Sequence, residues 1–281
     1  MIISHGLPKF RAAQIYCWLH EKGVRSFSEM QNIPKSLRET LEQECKLYNC
    51  SIDTKLCSES DGTVKYLYEL EPGEYAECVV MRYKYGLSVC ISTQLGCKMG
   101  CSFCASAIGG FRRQLLPSEM LSEIYTAQAD LGERISHIVL MGTGEPLDNY
   151  ENVLRFLQLV TDERGLNISM RHISLSTCGV VPRIYDLAKE HLGLTLSVSL
   201  HAPNDEIRSG LMPVNRTWGI DELLRACRFY TKETSRRISF EYTMIDGFHD
   251  RDAFAYELAP SLPGLLFHVN LLPVTPVPSN T

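Results

Sequence analysis

Apolar residues recur at helical spacing over residues 8–45. They fall into two groups, Ile15, Trp18 and Leu19, then Met30, Leu37 and Leu41 across a break at Pro34. Positions three or four residues apart share one side of an α-helix, and a proline interrupts such a pattern. The sequence therefore predicts a small helical module near the start of the chain.

From about Thr63 the pattern changes to short alternating runs rich in β-branched and aromatic residues. Thr63–Leu70 and Glu77–Tyr83 are such runs, and Pro72-Gly73 between them is a turn signal. We therefore expect two strands joined by a turn.

Strand-like and helix-like segments then alternate. The predicted strands are Leu87–Ser92, His137–Met141, His172–Ser176, Leu194–Leu200, Ile238–Met244 and Phe267–Leu272. The predicted helices are Pro117–Leu131, Glu151–Asp162, Pro182–Glu190, Ile220–Lys232 and Arg251–Leu258. Strands that alternate with crossover helices form a parallel sheet, and we expect its strands to be apolar on both faces.

Polar signals at the ends of these strands favour a curved, partly closed barrel over a doubly wound sheet. A cysteine-rich loop, Gly144-Glu145, Ser176 and His201 all fall at strand C-termini, which form the working face of such barrels. The predicted fold class is α/β, a partial (βα)6 barrel with a small N-terminal helical domain and a short β extension. We expect boundaries at 1–60 for the helical domain, 61–86 for the β-hairpin extension and 87–281 for the barrel.

The composition is that of an ordinary globular protein. Of the 281 residues, 44% are hydrophobic and 22% are charged, and no stretch approaches the roughly 20 apolar residues of a membrane span. Because the first residues do not form a signal peptide and the eleven cysteines are an odd number, we expect a reducing, cytoplasmic compartment and no membrane. A net charge of −5 neither requires nor excludes a nucleic-acid partner, and we take a monomer as the default.

Cys97, Cys101 and Cys104 form a C-x3-C-x2-C triplet. Three thiolates on one short loop suit three irons of a cubane iron–sulfur cluster and leave the fourth iron open. S-adenosylmethionine is the ligand that this spacing suggests for the open iron. Zinc is the competing interpretation, but a structural zinc site uses four ligands, and no second cysteine pair follows the triplet.

One long segment and five further motifs give a specific resemblance to a known family. The segment Cys90–Arg113 reads CISTQLGCKMGCSFCASAIGGFRR, and the further motifs are Met141–Leu147, Ser176–Gly179, Ser199–Asp205, Leu211–Asn215 and Glu241–Gly247. In this order they resemble the radical-SAM, dual-specificity RNA adenine methyltransferases of the RlmN/Cfr type. The matches extend over nearly the whole chain, from about Gly6 to Pro278.

The resemblance assigns the cofactor sites. Cys97, Cys101 and Cys104 are expected to hold a [4Fe-4S] cluster, and the residues that line the S-adenosylmethionine site are expected to be Gly144, Glu145, Ser176, Ser199, Leu200, His201 and Thr275. A Gly-Glu pair at a strand end offers backbone polar groups and a carboxylate to the amino group of methionine, although such a pair is also common in plain turns. Thr275 stands where the family usually has an asparagine, so one cofactor contact is altered.

Two residues before the cluster are assigned to methyl transfer. Cys90 lies seven residues before Cys97, where the family has a catalytic cysteine that helps to resolve a covalent RNA–protein adduct. Glu77 matches the position of a glutamate that the family uses as a proton acceptor. Without the resemblance, a cysteine on a buried strand is usually just a small apolar residue, and Glu77 would be a solvated strand residue.

The resemblance implies methylation of C2 of an adenine in large-subunit ribosomal RNA through a methyl-cysteine intermediate. Transfer RNA is a further candidate substrate, an electron donor such as flavodoxin is the implied redox partner, and residues 1–60 are expected to dock RNA. Pro146 favours C2 over C8, because the C8-methylating relatives tend to have alanine there. The alternatives are C8 methylation, a radical-SAM protein that acts on another substrate, and a metal-stabilised RNA-binding module.

The family carries the methyl group on a cysteine beyond the last barrel strand, and none of the eleven cysteines of this sequence occupies that position. We therefore expect these 281 residues alone not to complete methyl transfer, whether they are a fragment of a longer enzyme or a shortened homologue.

Overall fold

A nine-stranded sheet organises residues 8–274, the part of the chain that the computed structural model describes. The strands are β1 Ser51–Cys57, β2 Val64–Glu71, β3 Glu74–Tyr83, β4 Gly86–Cys90, β5 Gln94–Leu95, β6 Arg113–Gln114, β7 Ile135–Leu140, β8 Ile173–Thr177, β9 Thr195–Ser199, β10 Ile238–Met244 and β11 Phe267–Pro273. The sheet order is β1-β2-β3-β4-β7-β8-β9-β10-β11, and β5 pairs separately with β6.

The six strands from β4 to β11 in this sheet are mutually parallel, and β1 to β4 form an antiparallel extension at one edge. The helices are α1 Lys9–His20, α2 Lys35–Glu44, α3 Pro117–Leu131, α4 Tyr150–Thr161, α5 Val181–Lys189, α6 Asp205–Leu211, α7 Ile220–Thr234 and α8 Asp252–Leu258. A helix lies between each consecutive pair of parallel strands. The predicted partial (βα)6 barrel is confirmed.

Local signals explain where the helices begin and end. Pro117 occupies the first position of α3, where its missing N–H costs no hydrogen bond, and Gly132 ends the helix in the left-handed conformation with φ 67°. The predicted bounds of this helix match the observed ones. The two N-terminal helices share a small core of their own with Phe27, Met30 and Ile33.

The two faces of the parallel sheet differ in character. One face carries apolar residues such as Leu175, Leu196 and Phe240, which belong to the main core. The alternate positions are polar, and Ser197, Ser239 and Glu241 are buried on the concave face. The prediction that these strands are apolar on both faces is therefore wrong, because the helices cover only the convex side.

Two elements of the main fold were not predicted from the sequence. Strand β1 lies within residues 1–60, the stretch assigned to the helical domain, and all seven of its side chains are exposed. It is held by backbone pairing with β2, so it leaves no hydrophobic signal. Helix α6 is only seven residues long, which is too short for a clear helical pattern. Its N-cap, Asn204, lies within the motif Ser199–Asp205, which is interpreted above as part of the cofactor site. The division at residues 60 and 86 stays a prediction.

Candidate functional site

A cavity of about 360 Å³ opens at the carboxyl ends of the parallel strands. Eight of the predicted site residues line it: Cys97, Cys101, Cys104, Gly144, Glu145, Ser176, Ser199 and His201. They come from the cysteine loop (residues 96–112) and from the ends of β7, β8 and β9. The chain thus brings residues more than 100 positions apart to one working face, as a barrel of this kind does.

The cysteine loop is closed at its base by the β5–β6 ladder. Leu95 pairs with Arg113, and the N–H of Arg112 donates to the carbonyl of Leu95 at 2.8 Å. Gly96 follows directly with φ 71°, and a Cβ built there would lie 1.6 Å from the carbonyl oxygen of Gly110. Only glycine allows the two ends of the loop to approach this closely.

The three cysteines of the loop are partly exposed free thiols. Burial raises the pKa of Cys101 to about 12, with Cys104 and Cys97 as further causes, and burial also raises the pKa of Cys97. Among residues 8–274, no three His, Cys, Asp or Glu side chains converge on one point as ligands of a single metal ion. A cubane needs no such convergence, because each cysteine binds a different iron. The donor set therefore fits an iron–sulfur cluster.

Glu145 is nearly fully buried, with 3% of its surface exposed. Its Oε2 accepts a hydrogen bond from the N–H of Cys178 at 2.7 Å, and its Oε1 accepts one from the N–H of Leu147 at 3.0 Å. Burial raises the pKa of this carboxyl group, and the two backbone donors oppose the rise. Glu145 thus connects the ends of β7 and β8, a contact that the sequence did not reveal.

Gly144 has φ 110°, and a Cβ there would lie 2.6 Å from the Cβ of Gln94. Gln94 Oε1 accepts the N–H of Glu145 at 2.8 Å. The glycine therefore lets the strand end turn closely past Gln94 so that Glu145 points into the site. The sequence had identified the pair but not this packing reason for the glycine.

His201 is held in the left-handed conformation, with φ 54°. The N–H of Thr243 donates to its Nδ1 at 3.0 Å, so in the neutral ring Nε2 carries the proton. Burial, with Arg208 and His249 as further causes, lowers the pKa of His201 to about 3. Leu200 before it is fully buried and is absent from the cavity lining. Its N–H donates to the carbonyl of Glu241 and its carbonyl accepts from Arg208, so its cofactor role stays a prediction.

We expect His201 to make the protein sensitive to acid. Because its folded-state pKa is depressed, the unfolded chain binds one more proton than the native chain between about pH 6.5 and 3, and stability is lost as the pH falls through this window. Relative to pH 7, His201→Gln should lose about 2 kcal/mol less unfolding free energy at pH 5 than the wild type does. Urea unfolding at both pH values measures this, with His191→Gln on the surface as control. An equal loss of unfolding free energy in the wild type, His201→Gln and His191→Gln would contradict the lowered pKa of His201.

Cys90 and Glu77 share the concave face but are absent from the cavity lining. Cys90 pairs with Val79 across β3 and β4, and Glu77 lies two residues from Val79, so the two side chains point to the same side. Burial raises the pKa of Cys90 to about 11, while the N–H of Met141, a cavity residue, lowers it. Glu77 is half-exposed and pairs with Lys65 at 2.8 Å.

Several lining residues were not predicted as site residues. They are Met99, Phe103, Cys178, Met212, Glu241, Thr243 and Asn270. The carboxylate of Glu241 accepts hydrogen bonds from Ser239 at 2.7 Å and from Asn270 at 2.8 Å. Most of the set lies within the quoted motifs, which was the available signal, whereas Asn270 lies in none of them. Thr275, predicted as a cofactor contact, lies outside the described residues.

None of the helices within residues 8–274 has both the length and the apolar character that a membrane crossing needs.

Comparisons with known proteins agree with this geometry. Residues 91–259 match the radical SAM superfamily, and residues 1–47 match the ribosomal RNA large subunit methyltransferase N-terminal domain. The chain is 51% identical to a probable dual-specificity RNA methyltransferase RlmN from Lachnoclostridium phytofermentans, over 97% of this chain and 76% of that protein. A protein of the same name from Alkaliphilus oremlandii is 51% identical, over 99% of this chain and 80% of its own length.

A solved structure gives the same result. The crystal structure of a radical SAM methyltransferase from Sphaerobacter thermophilus superposes with a TM-score of 0.94 at 42% identity, covering 99% of this chain and 82% of that one. The cysteine loop, the strand-end cavity and these relatives lead to one assignment. The chain belongs to the radical-SAM RNA methyltransferases of the RlmN type.

Proposed function

We propose that this protein serves the methylation of C2 of an adenine in large-subunit ribosomal RNA, with transfer RNA as a second substrate, through a methyl-cysteine intermediate whose carrier cysteine is none of the eleven in this sequence. The observation that carries the proposal is the single cavity shared by the three cysteines of the loop and by Glu145, Ser199 and His201 at the strand ends. The match of residues 1–47 to a ribosomal RNA methyltransferase domain supports the choice of RNA, and Pro146 supports C2.

The residues present fit the two cofactors of this chemistry. Cys97, Cys101 and Cys104 would hold a [4Fe-4S] cluster on the wall of the cavity, and S-adenosylmethionine would lie between them and the strand ends. The cluster, when bound, supplies the electron that cleaves S-adenosylmethionine, and flavodoxin is our proposed donor to it. Gly144 and Glu145 would receive the methionine part, with Ser176, Ser199 and the neutral ring of His201 along the same cavity.

Cys90 and Glu77 would act beside this cavity. Burial keeps the thiol of Cys90 protonated near neutral pH, which suits a group that reacts only after a substrate base has entered and changed its surroundings. The carboxylate of Glu77 is accessible and is accompanied by Lys65, so it can accept a proton from an adenine and return it to solvent. Their shared face gives both residues access to one substrate.

RNA binding tests the proposed substrate class. Lys9 is exposed at the start of α1, and phosphate contacts release counterions, so log affinity should fall linearly with log salt. For a ribosomal RNA stem-loop, we expect Lys9→Ala to weaken the salt dependence and to reduce the magnitude of that slope by about 0.7. Lys232→Ala, exposed on α7 outside the N-terminal module, is the matched control and should leave the slope unchanged.

Fluorescence anisotropy at four salt concentrations measures the slope. Binding that does not depend on salt, or no binding at all, would favour a radical-SAM protein with a small-molecule substrate. Mass spectrometry of any methylated RNA then separates C2 from C8, and an 8-methyladenine product would refute the proposed position.

A further inference from the structure

Arg208 is a fully buried cation on α6 beside the cavity. Its Nε donates to the carbonyl of Leu200 at 3.0 Å, and its Nη1 donates to Oδ1 of Asn215 at 2.8 Å. Its Nη2 donates to the carbonyls of Cys178 at 2.7 Å and Ser199 at 2.9 Å. All four partners are neutral oxygen atoms, so the guanidinium is well hydrogen-bonded but not neutralised.

No ion pair found within residues 8–274 includes Arg208, and Asp205 acts on its charge only from a greater distance. Asp205, one turn earlier on the helix, is exposed, and its Oδ1 accepts the N–H of Ile220 at 2.7 Å and the amide of Asn215 at 3.0 Å. A buried charge without a partner costs a protein several kcal/mol. A buried arginine whose hydrogen-bond partners are all neutral therefore favours an anion in its neighbourhood.

The segment that carries Arg208 packs directly on the cysteine loop. The N–H of Ser102 donates to the carbonyl of Leu211 at 2.9 Å, and the ring of Pro213 lies against Gly100. Cys101 packs against the small apolar cluster that contains Cys178 and Leu211. Arg208 therefore hydrogen-bonds to the carbonyl of Cys178, a residue of the cluster against which Cys101 packs. These contacts place the guanidinium close to the cysteine loop.

We propose that Arg208 is the buried counter-charge of the iron–sulfur cluster and that it raises the reduction potential of the cluster. The inference rests on the proposed function, because it requires the three loop cysteines to hold the cluster. Three thiolates give a cubane net negative charge, and this charge grows by one when the cluster accepts an electron. A fixed cation in a poorly polarisable surrounding favours the reduced form, since net charge and hydrogen bonding set the potentials of such clusters.

A purely structural role is the competing explanation, since the same hydrogen bonds hold the ends of β8 and β9 together. The two roles differ in what they change. Loss of a structural contact lowers the stability or the cluster content, whereas loss of a counter-charge shifts the potential of a cluster that is still fully loaded.

The test is an anaerobic redox titration of the reconstituted protein with dithionite as the one-electron donor, followed by EPR. In Arg208→Gln we expect the equilibrium for reduction to shift at least tenfold toward the oxidised cluster, about 59 mV for a one-electron couple. Arg208→Lys keeps the charge and should stay closer to the wild type. Arg228→Gln is the matched control, because Arg228 also donates to a carbonyl, that of Ser261, but lies on α7 away from the cavity lining.

A fully loaded Arg208→Gln protein with the wild-type potential would overturn the inference, as would an equal shift in Arg228→Gln. If Arg208→Gln takes up no iron, Asn215→Asp decides the question, because it places a carboxylate beside Nη1 and should lower the potential in the same direction. An unchanged potential in Asn215→Asp would then refute the counter-charge. A wild-type protein that binds no iron would instead refute the proposed function.

Discussion

Cys101→Ser is expected to abolish cluster binding. The variant should retain less than about a tenth of the wild-type iron and sulfide after anaerobic reconstitution, because a serine hydroxyl is a poor iron ligand where thiolate is preferred. Cys101 is also the loop thiol that packs against Cys178 and Leu211. Its replacement therefore removes a ligand from the part of the loop that packs on the rest of the protein. Cleavage of S-adenosylmethionine to 5′-deoxyadenosine should be lost with the cluster.

Cys178→Ser is the matched control for this result. Cys178 lines the same cavity and is buried, but it lies outside the triplet. It should keep its full iron and sulfide content. Normal iron content in Cys101→Ser, or equal loss in the two variants, would show that the triplet does not hold the cluster.

Gly96→Ala is expected to disrupt the cysteine loop without removing any ligand. The added methyl group would lie 1.6 Å from the carbonyl oxygen of Gly110, and φ is 71°, a conformation that alanine adopts only under strain. Strain and overpacking together should cost about 3 kcal/mol if the loop stays in place. Because the clash is with backbone, we expect the loop to move instead and the thiols of Cys97 and Cys101 to lose their positions.

The measurement is iron content together with the urea midpoint of the protein before reconstitution. Gly109→Ala, in the same loop, is the control, because its added methyl group would meet no atom within 4 Å and its φ is not positive. It should behave as the wild type does. A Gly96→Ala protein that is both as stable and as rich in iron as Gly109→Ala would refute the role of this close approach.

The parts of this molecule that sequence reasoning found are those encoded locally. The triplet of Cys97, Cys101 and Cys104 lies on one short segment of the chain, and α3 carries its own start and stop signals at Pro117 and Gly132. The spacing of apolar residues and the residues that begin or end a helix depend only on neighbouring positions in the chain. A single sequence is therefore enough to identify them.

The parts that it missed depend on which elements become neighbours. The contact between Glu145 and the N–H of Cys178 joins two residues 33 positions apart that follow neighbouring strands, and no local pattern encodes it. The alternation of serine and apolar residues in β8 and β9 was visible, yet which face the helices cover is decided only by the closed barrel. Strand β1 was invisible because its side chains are exposed and its backbone alone pairs.

The burial of Arg208 beside the site is a further feature that local sequence patterns do not predict. An arginine within an Asn-Asp-Glu-Ile-Arg run reads as a surface residue of a short helix, because arginine is almost never fully buried. Only the approach of two strand ends and of Asn215 gives it four oxygen partners. The charge balance of the cavity is therefore a tertiary property.

The most direct test of the central claim is an anaerobic reconstitution of the wild-type protein, followed by iron and sulfide analysis and by incubation with S-adenosylmethionine and dithionite. We expect about four irons and four sulfides per chain and the formation of 5′-deoxyadenosine that depends on both the cluster and the reductant. Zinc in place of iron, or a loaded cluster that never yields 5′-deoxyadenosine, would contradict the radical-SAM account.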